Sequence, residues 1–307
     1  MTNDSLSSTH LPIVQSIPHA GLGIPPEVAD RLAIGEEAIF NECDLWADQL
    51  FDLSVAGEME LTPLAVVTTT IARALVDVNR LPDDLDNPDG PIKSQTSYGE
   101  MTYRLPLTTD DKRVLIERYW RPYHTRLEAA LAEHAGQVKL LLDCHNMAQR
   151  GPATYDFPGA ARPFLCLANL GDRRGEPLTP GGKITFPAAM LRRAGEIATD
   201  LFSDMTLLDE DETGDVPIAA LNWPFIGGIL IDQYAHGIGA GSVVAPHQHE
   251  SKRARAHYAI MVEINRGLFV GNQNAHTPVT PPNLERIAMI RQRLQRWIYE
   301  LTKLIDN

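Results

Sequence analysis

Of the chain's 307 residues 44% are hydrophobic and 22% charged, the balance of an ordinary folded protein rather than a disordered or membrane-embedded one. The 40 acidic side chains outnumber 27 basic ones, a formal net charge of −13, which argues against nucleic acid as a partner and leaves an anionic small molecule needing a local arginine cluster. Cys43, Cys144 and Cys166 cannot all pair and lack CxxC spacing, so they read as reduced thiols of a cytoplasmic protein; the polar first dozen residues lead us to expect no secretory signal, and no apolar run nears the ~20 residues of a membrane helix.

Residues 1–11 read as a flexible polar start, and one catalytic domain is expected over residues 12–307, since neither a repeat nor a composition shift marks a linker. Leu11 to Pro18 is a short apolar run that breaks at a proline before His19-Ala-Gly, the pattern of a strand spilling into a glycine loop. From Glu36 to Leu53 apolar side chains recur at three and four (Ile39, Phe40, Cys43, Trp46, Ala47, Leu50), which predicts one helix carrying Glu42 and Asp44 in its first half. Leu64 to Ala72 is rich in β-branched residues and predicts a second strand. Residues 81–97, LPDDLDNPDGPIKSQTS, are turn formers and predict a long exposed loop. Thr109 to Glu133 predicts a helix capped by Thr109 or Asp110 and interrupted at Pro122.

Val138 to Met147, VKLLLDCHNM, is a continuous apolar run and predicts a strand buried on both faces, as in a parallel or mixed sheet. Further strands are expected at Pro163 to Ala168, Gly227 to Asp232 and Tyr258 to Ile264, with helices at Phe186 to Phe202 and Pro282 to Leu304. Strands alternating with helices predict an α/β fold, a mixed, mostly parallel sheet flanked by helices.

Open α/β sheets place ligands beyond the carboxyl ends of their strands. His19 and His145 both stand at predicted strand ends. Strand alternation turns Asp143 the same way as His145 and Cys144 the other way, so Asp143 can orient the His145 ring. Catalytic zinc takes three protein ligands from histidine and carboxylate and leaves one position open; Glu42 or Asp44 could supply the third. Two segments, Asp77-Val-Asn-Arg80 and Glu263-Ile-Asn-Arg266, pair asparagine with arginine, whose planar fork grips a carboxylate twice. Arg73 and Arg104 add positive charge on either side of the 81–97 loop. Glu263 closes the apolar run HYAIMVE, where a carboxylate is costly unless it is paired or has work to do; an ion pair to Arg266 or another arginine is the structural alternative. Pro246-His-Gln-His-Glu250 is a weaker metal candidate beside a solvated SKRAR stretch.

Seven stretches together resemble the N-formylglutamate amidohydrolases: Ile17-Pro-His-Ala-Gly21, Glu42-Cys-Asp44 with Asp48-Gln-Leu50, Ile71 to Arg80, Tyr119-Trp-Arg-Pro-Tyr-His124, Leu142 to Met147, Asn222-Trp-Pro-Phe-Ile-Gly-Gly228 and Glu263 to Phe269. They occur in that family's order over about residues 13 to 270. The resemblance implies a fold related to the zinc carboxypeptidases and one zinc ion, and makes His19, Asp44 and His145 its ligands. It makes Glu263 similar to the glutamate that activates water, and Asn79 and Arg80 similar to the pair that holds a substrate carboxylate, with Arg73 and Arg104 nearby. The implied reaction is hydrolysis of N-formyl-L-glutamate to formate and glutamate. Asn146 stands where the family usually has serine, the loop after Arg80 is long, and the Asn222 stretch lacks basic residues. These departures bear on the substrate and leave two rivals: a zinc hydrolase of the same fold acting on another N-acyl amino acid or a small peptide, and a binding protein that has lost the chemistry. Neither composition nor pattern speaks to the oligomeric state.

Overall fold

The computed structural model describes residues 9–55, 61–208, 216–235, 257–271 and 273–306. Six strands form one sheet: β1 (Thr9–Ile17), β2 (Leu61–Thr68), β3 (Leu140–Met147), β4 (Leu165–Ala168), β5 (Ala219–Leu221) and β6 (Tyr258–Asn265). Their order is β2-β1-β3-β6-β4-β5, parallel except where β4 meets β6. The expected mixed, mostly parallel sheet is therefore present. Strand β1 begins at Thr9, so Thr9 to Leu11 belong to the sheet rather than to a loose start.

Every residue of β3 is buried, as its unbroken apolar run requires for a strand covered on both faces. Leu140, Leu142 and Cys144 face a core shared with helices α2 (Ala47–Leu50), α5 (Ala188–Phe202) and α7 (Leu284–Asp306). Leu141 faces the opposite core, built with α1 (Glu36–Glu42), α3 (Thr109–Leu115), α4 (Arg121–Glu133) and α6 (Ile229–Tyr234). Period-two alternation then carries Asp143 and His145 onto the Leu141 side. By the same rule Glu263 shares the side of Ala259 and Met261, and it lies in register with His145 across the β3–β6 pair.

Three expectations need correction. The helix expected over Glu36–Leu53 is two helices, because the chain breaks at Cys43 to Trp46, where Trp46 takes a left-handed φ of 54°. Apolar spacing alone cannot register such a break, since Leu45 and Trp46 continue it in composition. Gly227–Asp232 is not a strand; its apolar letters belong to α6, a turn and a half of helix against the sheet. Short apolar runs are ambiguous between the two states. The helical stretch begins at Thr109 and ends at Glu133 as expected, but its cap is Thr108 and not Thr109 or Asp110: Thr108 Oγ1 accepts from Asp111 N at 3.2 Å while Asp111 Oδ2 accepts from Thr108 N at 2.9 Å. The interruption expected at Pro122 is a π-helical turn at Ile116–Trp120 that joins α3 to α4 and leaves the proline, which has no N–H to donate, in the first turn of α4. None of the helices described is long and apolar enough to cross a membrane.

Candidate active site

His19, two residues beyond β1, and His145, near the end of β3, meet at the carboxyl edge of the sheet. Asp44 reaches them from the break between α1 and α2, where its backbone N–H donates to the His19 carbonyl at 3.0 Å. The break is held open from below: Arg266 Nη1 donates to the carbonyls of Asn41 (3.0 Å) and Cys43 (3.1 Å), which the end of α1 leaves without helical partners. Three ligand atoms converge. His145 Nδ1 lies 2.9 Å from Asp44 Oδ2 and 3.1 Å from His19 Nδ1, and His19 Nδ1 lies 3.4 Å from Asp44 Oδ2. A tetrahedral zinc with ligands at ~2.0–2.1 Å separates them by ~3.3 Å, so this triangle is within a few tenths of an ångström of a zinc face. All three side chains are buried, and together they could hold a metal ion.

The far nitrogen of each ring faces a carboxylate. Asp77 Oδ1 lies 2.8 Å from His19 Nε2, and Asp143 Oδ2 lies 3.0 Å from His145 Nε2, within ion-pair distance though without hydrogen-bond alignment. Such carboxylate–histidine pairs fix the tautomer that turns the other nitrogen toward a metal. Ser16 in turn donates to Asp143 Oδ1 at 2.8 Å and meets the Tyr123 hydroxyl at 2.7 Å. Burial opposes ionisation of Asp44, but hydrogen bonds from His145 and His19 overcome it and hold the carboxyl well below its usual range. Asp77 is likewise held far down against burial, by the charges of His19, Arg73 and Arg80. Burial disfavours the His145 cation, yet Asp143 and Asp44 more than restore its proton affinity.

Glu42, the alternative third ligand, points elsewhere: its Oε1 accepts from the Ser97 backbone N at 2.7 Å and from the Ser97 hydroxyl, anchoring the end of the 81–97 loop. Glu263 stands on the same side of the sheet as His145, 7% exposed, with burial raising its carboxyl to about 7 against the pull of His145. It forms no ion pair with Arg266 among the described residues, and Arg266 Nη1 is used by the two carbonyls and by Gln273 Oε1 at 2.6 Å.

Arg73 donates to Asp77 Oδ2 at 3.0 Å and to the Tyr155 hydroxyl at 3.3 Å, and its Nη1 lies 3.7 Å from Asp44 Oδ1. Asn79 Oδ1 accepts from Leu230 N at 3.2 Å in the first turn of α6; a Cβ on Gly228 would stand 2.4 Å from that oxygen, so the contact needs glycine there. Arg80 is near the cluster, but its fork is occupied: Nη2 bonds Asp89 Oδ2 at 2.7 Å and Nε bonds the Asp89 carbonyl at 3.0 Å. Lys93, fully buried, pairs with the same Asp89 carboxylate, so the 81–97 loop is tied down rather than loosely exposed. Arg104 is not part of the assembly. It is exposed, donates to the Asp30 carbonyl at 3.3 Å, and borders a separate apolar groove with Leu22, Ile24 and Val279. The Pro246–Glu250 candidate lies outside the described residues.

One site residue went unmentioned in the sequence reading. Arg162, 3% exposed, lies three residues before β4, which runs antiparallel to β6, so it approaches the sheet at the edge where Glu263 leaves it. Its guanidinium lies 4.9 Å over the Phe225 ring, and Asn265 Nδ2 donates to its carbonyl at 2.9 Å. The signal was present: Arg162-Pro-Phe-Leu-Cys-Leu-Ala168 puts a charge against an apolar strand, as HYAIMVE does with Glu263.

A mixed α/β sheet whose carboxyl edge gathers two histidines, an aspartate and a buried glutamate defines a protein built around a candidate metal centre. A profile of the N-formylglutamate amidohydrolase family matches residues 11–270, and the chain belongs to that family. The N-formylglutamate deformylase of Pseudomonas putida is 30% identical over 190 residues, 58% of this chain and 66% of its own length, so the match spans just under two thirds of that relative. Among solved structures, an N-formylglutamate amidohydrolase from Ralstonia eutropha JMP134 superposes with a TM-score of 0.65 at 19% identity, covering 97% of this chain and 95% of its own. A gene product of Agrobacterium tumefaciens gives 0.60 at 15%, covering 97% and 92%. At those identities the two structures speak for the fold alone.

Proposed function

We propose that the chain hydrolyses an N-acyl amino acid, in the first place N-formyl-L-glutamate to formate and L-glutamate, with one zinc ion held by His19, Asp44 and His145. The observation that carries the reading is the triangle of Nδ1, Nδ1 and Oδ2 atoms with Glu263 on the same face of the sheet. Two nitrogens and one carboxylate oxygen form a donor set that suits catalytic zinc. Bound there, zinc supplies Lewis acidity toward the acyl oxygen and brings the pKa of water toward ~7. Family membership and the name of the P. putida relative support the formyl substrate.

Water adds its oxygen to the formyl carbon, the C–N bond breaks, and the amine leaves with a proton. Glu263 takes the proton from the attacking water and returns it to the amine nitrogen, and a carboxyl near 7 suits both halves. Asp77 and Asp143 keep the histidine rings turned. Arg80, with the Asn79 amide beside it and Arg73 adding its field, holds a substrate carboxylate; that carboxylate displaces Asp89 from the fork. A binding protein without chemistry would have had no need to keep this whole set.

The test is metal analysis of the purified protein with a screen of N-formyl, N-acetyl and N-carbamoyl amino acids. Close to one equivalent of zinc is expected, with activity abolished by chelation and N-formylglutamate the preferred substrate. Full metal content in both His19→Ala and His145→Ala, or no turnover of any N-acyl amino acid by the zinc-loaded protein, overturns the reading.

A further inference from the structure

Three arginines surround the cluster, and two are already matched by carboxylates: Arg73 by Asp77 and Arg80 by Asp89. Lys93 is matched as well. Arg162 differs. Among the described residues its guanidinium makes neither a hydrogen bond nor an ion pair, although the side chain is 97% removed from solvent, the complement of its 3% exposure. Its planar face lies over the Phe225 ring, and none of its nitrogens is both fully buried and unpartnered, so the N–H edge of the fork keeps the small exposure through which an acceptor can reach it. Glu263 is its first charged neighbour but lies beyond ion-pair distance, and burial lowers the guanidinium's hold on its proton. Tyr155 packs edge-on against Phe225 at 6.3 Å and accepts from Arg73, which makes these two rings the link between Arg162 and the arginines beside the metal ligands.

An anionic substrate finds its strongest grip on a cation that no internal carboxylate has neutralised, and a buried planar fork favours a carboxylate over a point acceptor. We propose that Arg162 is a specificity-determining residue that receives one of the two carboxylates of an N-acyl dicarboxylic amino acid, Arg80 receiving the other. This assignment rests on the hydrolase reading above. It makes the enzyme selective for dicarboxylates, because a substrate lacking one carboxylate leaves a buried guanidinium without a partner.

The experiment compares zinc-loaded wild type with Arg162→Gln on three substrates: N-formyl-L-glutamate, N-formyl-L-norvaline without the side-chain carboxylate, and N-formyl-γ-aminobutyrate without the α-carboxylate. On N-formylglutamate kcat/KM falls roughly 10- to 100-fold, chiefly through KM, as loss of a charge-assisted hydrogen-bonded pair implies. The monocarboxylate missing the group that Arg162 reads is turned over equally by both proteins. Equal losses on all three substrates, or none on N-formylglutamate, overturn the assignment. Should Arg162→Gln lack a cooperative melting transition, Arg162→Lys is measured instead, with the same pattern at smaller size. Calorimetric titration of glutarate, a dicarboxylate with no amide to cleave, separates the two readings: weaker glutarate binding by the variant supports Arg162, and unchanged binding sinks it, whatever the hydrolysis assay shows.

Discussion

Glu263 shows how one side chain can be tested for work rather than packing. Its carboxylate sits among His145, Asp44, Arg73 and Arg162, and among the described residues it forms no ion pair with Arg266 or another arginine that would have explained it structurally. Glu263→Gln keeps size and most hydrogen bonding while removing the base. The variant is expected to melt normally and retain its zinc, with kcat lower by about 10²-fold or more, the usual consequence of losing a general base. Near-normal kcat in a folded, zinc-loaded variant would remove Glu263 from the mechanism. The two acids of the α1 end separate in the same way. Asp44→Ala should lose zinc, whereas Glu42→Ala should keep it and instead release Ser97 from the 81–97 loop, seen as faster proteolysis there. Zinc retention in the first variant and loss in the second would exchange their roles.

At the scale of elements, α4 supports the site without touching it. His124 stacks on Trp120 at 3.7 Å, and its two nitrogens meet the Tyr234 hydroxyl at 2.7 Å and the Val78 carbonyl at 2.8 Å, linking α4 to α6 and to the segment that carries Asp77 and Asn79. Burial depresses its pKa from 6.5 to about 4. In that interval the unfolded chain binds the proton that the folded one refuses, so stability is full above the unfolded value and declines as pH falls toward the folded one. Urea unfolding midpoints measured from pH 7 down to 4 should fall less steeply in His124→Gln than in wild type. An unchanged slope would mean that His124 is not held neutral. The α1–α2 break is a second element-scale device: it puts an aspartate at the histidines, where a continuous helix would have carried Asp44 past on its own spiral.

For the whole molecule, the three proposed zinc ligands, His19, Asp44 and His145, come from remote parts of the chain, so zinc binding should stabilise the fold as a unit. A ligand that binds only the native state adds RT ln(1 + [L]/Kd), about 1.4 kcal/mol for each tenfold excess over Kd. The melting temperature should therefore rise with added zinc and fall after dialysis against chelator, while His145→Ala should show no such dependence. A wild-type melting temperature indifferent to zinc would detach the metal from the native state.

Much of this architecture was legible in the letters. The unbroken apolar run of Leu140 to Leu142, short and entered from a long helix, pointed to a strand covered on both faces, and period-two alternation already set Asp143 with His145 and against Cys144. Glu263 was marked by the cost of a charge in an apolar strand, because burial energetics are local to a residue and its neighbours. What the letters left open depended on distance in space. Glu42 and Asp44 are chemically equivalent candidates two residues apart, and the choice between them was made by the left-handed turn at Trp46 and by Arg266 reaching back from the far end of β6. The same holds for the arginines. Arg80 reads as a free fork until Asp89 folds back onto it, and Arg162 drew no notice because its burial beside Glu263 arises only when the antiparallel β4 packs against β6, since pairing and desolvation arise only when remote segments pack.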